Sequence, residues 1–175
     1  MSAPERTRLP FDPIEEAARQ WGNHWDEMPR MRAVTSLMRV HQLVLTELDE
    51  LLRPLGLTFA RYQVLGMLRW AGPLTLGAVG HRLWITPATV TNAIDRLEGA
   101  GLCRRVSHPT DARATLVQIT AKGKRTFDRS VEKLNAELFS SVGLDEGELD
   151  QLVGLVEKIR AAEGDIVAVK RPKPA

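Results

Sequence analysis

Two groups of residues in this chain are of the right type and spacing to hold a polyanion. The first opens at Thr86-Pro87, where Val90, Ile94 and Leu97 recur at i, i+4 and i+7 and leave Ala88, Thr89, Thr91, Asn92, Asp95 and Arg96 on the opposite side. Short side chains near the start of such a helix let it come close to base edges. Threonine methyls can touch thymine methyls, hydroxyls can bond phosphate or base, Asn92 suits adenine, and Arg96 reaches guanine or phosphate. The second group is Asp111-Ala-Arg113, behind the turn-forming run Ser107-His108-Pro109-Thr110. A guanidinium at a hairpin tip can enter a minor groove and respond to its width and potential. Asp111 is a poor neighbour for phosphate, and its expected role is to hold Arg113 in place. Each group alone has an ordinary explanation, a solvated helix face or a surface salt bridge worth little. Their succession along the chain is what points to duplex DNA.

The elements that must position these groups are legible around them. Thr75 caps a short helix running through Leu83, with Gly77 and Gly80 allowing close approach of a neighbour; Trp84-Ile85-Thr86 is the turn; Thr86 caps the next helix with Pro87 at its first position. Gly99-Ala-Gly101 ends that helix. Leu102–Val106 and Ala114–Thr120 read as the two strands of a hairpin, with Val117 and Ile119 alternating toward one side. Upstream, Asp12-Pro13-Ile14-Glu15 marks a helix start with a glutamate placed to close a capping box. Ile14, Ala17, Ala18, Trp21, Trp25 and Met28 then share a face, up to Pro29. A second stripe, Val34, Leu37, Met38, His41, Leu45, Leu48, Leu51 and Leu52, stops at Pro54 and Gly56, and Thr58 caps a third helix carrying Tyr62, Leu65 and Leu68. After the hairpin come the stripes Phe127, Val131, Leu134, Leu138, Val142 and Leu149, Leu152, Val153, Val156, Ile159, the latter headed by the capping pair Asp145 and Glu148.

The fold class expected is mainly α with a small β-hairpin: a winged helix-turn-helix DNA-binding domain plus a helical dimerisation region. The boundaries expected are an N-terminal extension at 1–30, dimerisation helices at 31–57 and 121–164, the winged domain at 58–120, and a basic tail at 165–175.

Charge distribution supports one polyanion-binding face. The net charge is only +2, but Leu74–Ser130 holds nine basic residues against four acidic ones, whereas Val131–Asp165 holds three against nine. Cys103 is the single cysteine, which excludes a disulfide within the chain. No apolar run spans a bilayer and no signal-peptide pattern opens the chain, so no membrane partner and a cytoplasmic location are expected. The histidines His24, His41, His81 and His108 are scattered, no Cys/His pair has metal-ligand spacing, and no phosphate loop or nucleophile signature is present. Neither an enzyme nor a metal or other cofactor is expected.

The stretch from about Val34 to Ile159 resembles the MarR family of bacterial transcription regulators. The resemblance rests on the wing residues Asp111, Arg113, Val117, Ile119 and Thr120, an aspartate-x-arginine followed by a valine-x-isoleucine-threonine strand. Leu57-Thr58, Tyr62, Val64-Leu65, Val90-Thr91, Asp95-Arg96-Leu97-Glu98, Gly101-Leu102 and Gly123 fall in the family's order. It implies a two-fold dimer joined by the first and last helices, a repressor acting on a pseudo-palindromic operator in double-stranded DNA, and DNA contacts from Thr86, Ala88, Thr89, Thr91, Asn92 and Arg96 together with Asp111 and Arg113. In a small winged domain the helices at both chain ends have little to bury against, which agrees with a homodimer. The resemblance further implies a small aromatic or phenolic effector in a cleft between the two regions, for which Trp21, Trp25, Met38, His41, Tyr62, Met67 and Trp70 are candidates. Core packing is the ordinary alternative for these residues, and His41 on an apolar face reads as a hydrogen-bonded core histidine. The N-terminal helix with Trp21 and Trp25 resembles the urate-sensing branch, although Gln63 stands where that branch often carries an acid. The other class of function open to the chain is a winged-helix protein-interaction module without specific DNA binding.

Overall fold

The computed structural model describes residues 9–26, 28–111 and 113–167. The chain divides into two compact units, residues 1–138 and residues 139–175. The expected basic tail falls mostly at 168–175, outside the described residues.

In the first unit the helices are α1 (Pro13–Gly22), α2 (Met28–Leu52), α3 (Phe59–Ala71), α4 (Leu76–Leu83), α5 (Pro87–Gly99) and α6 (Ala121–Glu137). Asp12 caps α1, accepting the backbone N–H of Ile14 at 2.8 Å. The reading of one long first helix needs correction. α1 ends at Gly22 and the N–H groups of His24 and Trp25 both close on the carbonyl of Trp21, so Trp25 lies in the turn and Met28 opens α2. Gly22-Asn23 breaks the helix, and Pro29 sits in the first turn of α2, where its missing N–H costs nothing. Glu15 does not close a capping box; its carboxylate pairs with Arg32 of α2 instead. Likewise Thr58 makes no side-chain cap on α3. That end is capped from α2, where Asp49 Oδ1 accepts the N–H of Phe59 at 2.7 Å.

The hairpin is β2 (Cys103–Ser107) with β3 (Thr115–Ile119), and a two-residue strand β1 (Leu74–Thr75) completes an antiparallel sheet in the order β1-β3-β2. β1 pairs Leu74 with Val117 and Thr75 with Leu116, through backbone groups that leave no periodic trace in so short a segment. Val117 and Ile119 point inward as their alternation requires.

One hydrophobic core joins α2 to α6. Leu48 and Leu52 meet Leu65 and Leu68 of α3, Val79 of α4, the inner stripe Val90, Ile94 and Leu97 of α5, Val117 of β3, and Phe127 and Leu134 of α6. Thr120 caps α6 by accepting the N–H of Gly123 at 3.0 Å. Gly123 is required here because a Cβ at that position would lie 2.0 Å from the carbonyl oxygen of Leu102. The helix therefore starts in direct backbone contact with the root of the wing.

In the second unit α7 (Glu146–Ala162) opens with a complete capping box, the Asp145 side chain on the N–H of Glu148 and the Glu148 side chain on the N–H of Asp145. None of its residues is buried; Leu152, Val153, Leu155 and Ile159 remain well exposed.

Candidate nucleic-acid interface

The candidate interface is assembled on α5. Thr86 accepts the N–H of Thr89 through Oγ1 at 3.3 Å, and the two hydroxyls lie 2.9 Å apart. Thr91 donates its hydroxyl proton to the Pro87 carbonyl at 2.9 Å. Its oxygen is left as an acceptor only, so Thr91 suits contact with a thymine methyl better than donation to a phosphate. Ala88, Thr89, Thr91, Asn92 and Arg96 are all exposed, as is Thr86. Packing against the rest of the domain is confined to Val90, Ala93, Ile94 and Leu97, which leaves this face clear of intramolecular obstruction.

A cleft runs along one flank of that face, lined by Thr58, Ala60 and Arg61 from the start of α3 and by Ala88, Thr89, Asn92 and Arg96. Arg61 is steadied there by donating from Nε to Thr58 Oγ1 at 3.2 Å. Sequence reading missed Thr58 and Arg61 as partners of Asn92 and Arg96, because sequence alone does not show which face of α3 meets α5. One signal was available: between Glu50 and Asp95 the chain contains no carboxylate side chain at all, while it contains Arg53, Arg61, Arg69 and Arg82.

The carboxylates that do occur on α5 are both engaged. Arg105 of β2 reaches Asp95 Oδ1 with Nη2 at 2.6 Å and pairs with Glu98 through Nη1, while Glu98 Oε1 accepts its backbone N–H at 2.8 Å. β2 is an edge strand, so that N–H faces away from β3, and Glu98 takes the place of a missing neighbouring strand. The guanidinium proton is held more firmly than usual, first by the hydrogen bond to Asp95 and then by Glu98. Arg105 thus fixes the C-terminal half of α5 to the wing, a role that spacing did not reveal. Beside it, Arg104 donates from Nη2 to Gln118 Oε1 at 2.9 Å, tying the two strands across the sheet.

At the tip, Asp111 Oδ1 accepts the backbone N–H of Arg113 at 2.9 Å. Asp111 therefore holds Arg113 as expected, but by its main chain. His108 supports the approach, its Nδ1 accepting the N–H of Asp111 at 3.2 Å. Arg113 is exposed beyond this bonded turn. A groove-facing helix, an adjacent basic strand and a projecting arginine on one short hairpin together form the layout of a winged helix-turn-helix.

The family model for the MarR family matches residues 57–115, spanning α3 to the wing. The HTH-type transcriptional regulator YkoM of Bacillus subtilis is 35% identical over 106 residues, which cover 59% of this chain and 68% of that relative. Among solved structures, Sco5413 of Streptomyces coelicolor, a MarR family transcriptional regulator, superimposes with a TM-score of 0.71 at 36% identity, over 79% of this chain and 97% of the other. The chain belongs to the MarR family. It is a DNA-binding transcription regulator with the winged-helix fold. A cysteine-to-serine mutant of Escherichia coli MarR, solved with operator DNA, superimposes with a TM-score of 0.68 at 26% identity, over 77% of this chain and 99% of that one.

The seven effector-site candidates of this MarR family chain fall into separate groups. Tyr62 stacks on Phe127 with ring centroids 5.2 Å apart, and Trp70 meets the same ring edge-on at 5.2 Å. Phe127, read from sequence as core, is the ring they share. Gly66 leaves room for it, since a Cβ there would lie 3.0 Å from the Phe127 ring. Burial raises the pKa of the Tyr62 phenol, so it stays a neutral donor. Met67 is half-buried on the same helix. Trp21 and Trp25 form their own pair at 4.9 Å, with His24 beside Trp25 and the Trp21 indole N–H on the carbonyl of Asp26. Met38 and His41 are exposed on α2, so the reading of His41 as a core histidine is wrong: the apolar stripe there faces outward in the single chain. Cys103 is buried in β2, and its thiol pKa is raised to about 11 by burial and then by the charge of Glu98. That environment opposes redox chemistry. Among the described residues no group of three or more His, Cys, Asp or Glu side chains could hold a metal ion.

Proposed function

We propose that this regulator is a homodimeric repressor that occupies a pseudo-palindromic operator and is released by a small aromatic or phenolic effector. The observation that carries the dimer is the apolar surface left open on the helices from both chain ends. Val34, Met38, Val40 and Leu43 on α2 are 46–58% exposed, and Leu152, Val153, Leu155 and Ile159 on α7 are 42–59% exposed. Surface of this kind is normally covered in a soluble protein, and a second copy of the chain supplies a matching cover. A two-fold pair presents two α5 helices to half-sites about one DNA turn, roughly 34 Å, apart. Each half-site is read by Thr86, Ala88, Thr89, Thr91, Asn92 and Arg96 in the major groove, and each wing holds its flank through Arg113, oriented by Asp111. Repression then follows from occlusion of the DNA.

Tyr62 and Trp70 around Phe127, and the pair Trp21 and Trp25 with Met38 and His41 nearby in sequence, supply the aromatic and polarizable surface that an aromatic effector needs. The N-terminal segment with Trp21 and Trp25 is read as resembling the urate-sensing branch. With Gln63 in place of an acid, an effector that hydrogen-bonds a neutral amide is the better fit. No catalytic step is assigned to any residue, and the site of action is the cytoplasm. Among the described residues no helix is long and apolar enough to cross a membrane.

The test is fluorescence anisotropy with the duplex upstream of the protein's own coding region against a scrambled duplex, at several salt concentrations, paired with sedimentation of the free protein. A dimer that binds the upstream duplex preferentially, with affinity falling steeply as salt rises, supports the reading. A monomer, or equal binding to both duplexes, refutes it.

A further inference from the structure

Trp84, in the turn between α4 and α5, is the one residue other than glycine with a positive φ among the described residues, at φ 53° and ψ 43°. This left-handed conformation is uncommon for any side chain with a Cβ and a genuine outlier for a bulky one, and glycine or asparagine adopts it with least strain. The turn needs the conformation, because it lets the N–H of Ile85 close on the carbonyl of Gly80 at 3.2 Å. It does not need the indole, which is 78% exposed. A tryptophan here is strained and leaves its ring in water, so its use lies outside the chain.

Its surroundings indicate what it meets. The indole borders an apolar cleft of about 500 Å³ whose other walls include Leu76, Gly80, Pro87 and two residues of the DNA-reading face, Thr86 and Thr91. Arg82 and His81 lie just before it, both exposed. No carboxylate occurs in sequence anywhere from Leu51 to Ile94. An aromatic ring with one N–H donor, preceded by the Arg82 guanidinium in a stretch of sequence without acids, at the threshold of a groove-reading helix, matches the sugar–phosphate wall of that groove. The ring face can pack on deoxyribose and the Nε1–H can bond a phosphate oxygen.

We propose that Trp84 is a DNA-backbone contact that positions the first turn of α5 in the groove, through stacking on a deoxyribose and a hydrogen bond from Nε1 to phosphate. The inference rests on the reading that α5 enters DNA. Its test uses the full-length protein, the variants W84G, W84N and W84F, a duplex enriched from a random library by the wild type, and a scrambled duplex. W84G and W84N are expected to bind both duplexes five- to twenty-fold more weakly, by the same factor on each, with the salt slope unchanged because no ionic contact is lost. Their Tm is expected to stay the same or rise as the strain is relieved. W84F, which keeps a ring but loses the donor, should fall between. Wild-type affinity in W84G and W84N overturns the proposal while leaving the reading of α5 intact. So does a loss confined to the enriched duplex, which would make Trp84 a base reader, or a loss accompanied by a lower Tm, which would make it structural. If the wild type enriches no duplex, the reading of α5 fails and the contact with it.

Discussion

Replacing Arg105 by alanine separates the two things this guanidinium does. In the folded protein it sits 2.6 Å from Asp95 Oδ1 and pairs with Glu98, with its side chain 33% exposed and those of its partners 56% and 36% exposed. Half-exposed pairs of this kind contribute about 0.5–1 kcal/mol each, so the loss in stability should be about 1–2 kcal/mol, measured by urea unfolding. The consequence for DNA is electrostatic. One guanidinium against two carboxylates leaves one net negative charge on this patch, and Arg105→Ala makes it two. An added charge ~8 Å from a phosphate in water-like dielectric costs about 0.5 kcal/mol per phosphate before screening. Two such phosphates give about 1 kcal/mol, or roughly a fivefold loss of affinity. The loss should shrink in concentrated salt. Adding Asp95→Asn and Glu98→Gln to Arg105→Ala removes both freed carboxylates and should restore affinity at low salt without restoring stability. Anisotropy titrations of the three proteins decide the matter. Unchanged affinity for Arg105→Ala at low salt, or no recovery in the triple variant, refutes the claim that Arg105 masks these carboxylates from DNA.

Arg113→Ala should weaken operator binding by about 1–3 kcal/mol with the dimer intact in sedimentation, and Asp111→Ala, which frees the Arg113 N–H, should do so by a smaller amount. Gly123→Ala places a Cβ 2.0 Å from the Leu102 oxygen and 2.8 Å from Ile119 Cγ1. Neither the strand nor α6 can retreat without breaking the Thr120 N–H bond to Leu102, 3.0 Å long, so destabilisation at or above the upper end of overpacking costs, about 3 kcal/mol, is expected in urea. Cys103, with its pKa raised from 9.0 to about 11, should react with a thiol reagent at pH 8 at least about a hundredfold more slowly folded than unfolded. Because the folded state holds this proton more tightly, its stabilising effect is complete below pH 9 and is lost as pH rises through 11. Cys103→Ala should flatten that alkaline loss, and an unchanged pH profile would rule the linkage out.

What sequence reading recovered here depended on whether the signal was local. The caps of α4, α5 and α7 follow from Thr75, Thr86 and Asp145, because each side chain meets an N–H three residues on; Thr120, read only as the end of a strand, caps α6 in the same way. Thr58 looked the same but was displaced by Asp49, nine residues earlier on another helix, and nothing in the spacing marks that exchange. The periodicity of α1 continued through Trp25 and Met28 because apolar residues recur at helical intervals even across the Gly22-Asn23 break. β1 was invisible because two residues carry no period. The outer face of α5 could be read as exposed because the buried residues Val90, Ile94 and Leu97 recur at a local spacing. By contrast, Arg105 acts by reaching α5 and Arg61 by lining a cleft with it, and their role appears only once α3 and β2 are placed beside α5. The scattered effector candidates show the same limit, since ring type selects residues without saying which rings share a wall.

The carboxylates of α5 illustrate why such placement matters for recognition. Asp95 and Glu98 on a DNA-reading helix would repel phosphate, and an affinity-only account would expect neutral residues there. With Arg105 present they tie α5 to the wing. The start of α5 is fixed by its Thr86 cap and by Gly80, where a Cβ would lie 3.2 Å from Val90 Cγ2; the far half is fixed by Asp95 and Glu98. If Asn92 and Arg96 read bases as proposed, a helix held at both ends presents them in a single pose, and hydrogen-bonded base discrimination depends on such a pose more than on the charge of the helix. On the proposed reading, the residual negative charge would lower general attraction for DNA along with non-specific binding, so the arrangement would give up affinity on any sequence for discrimination on one.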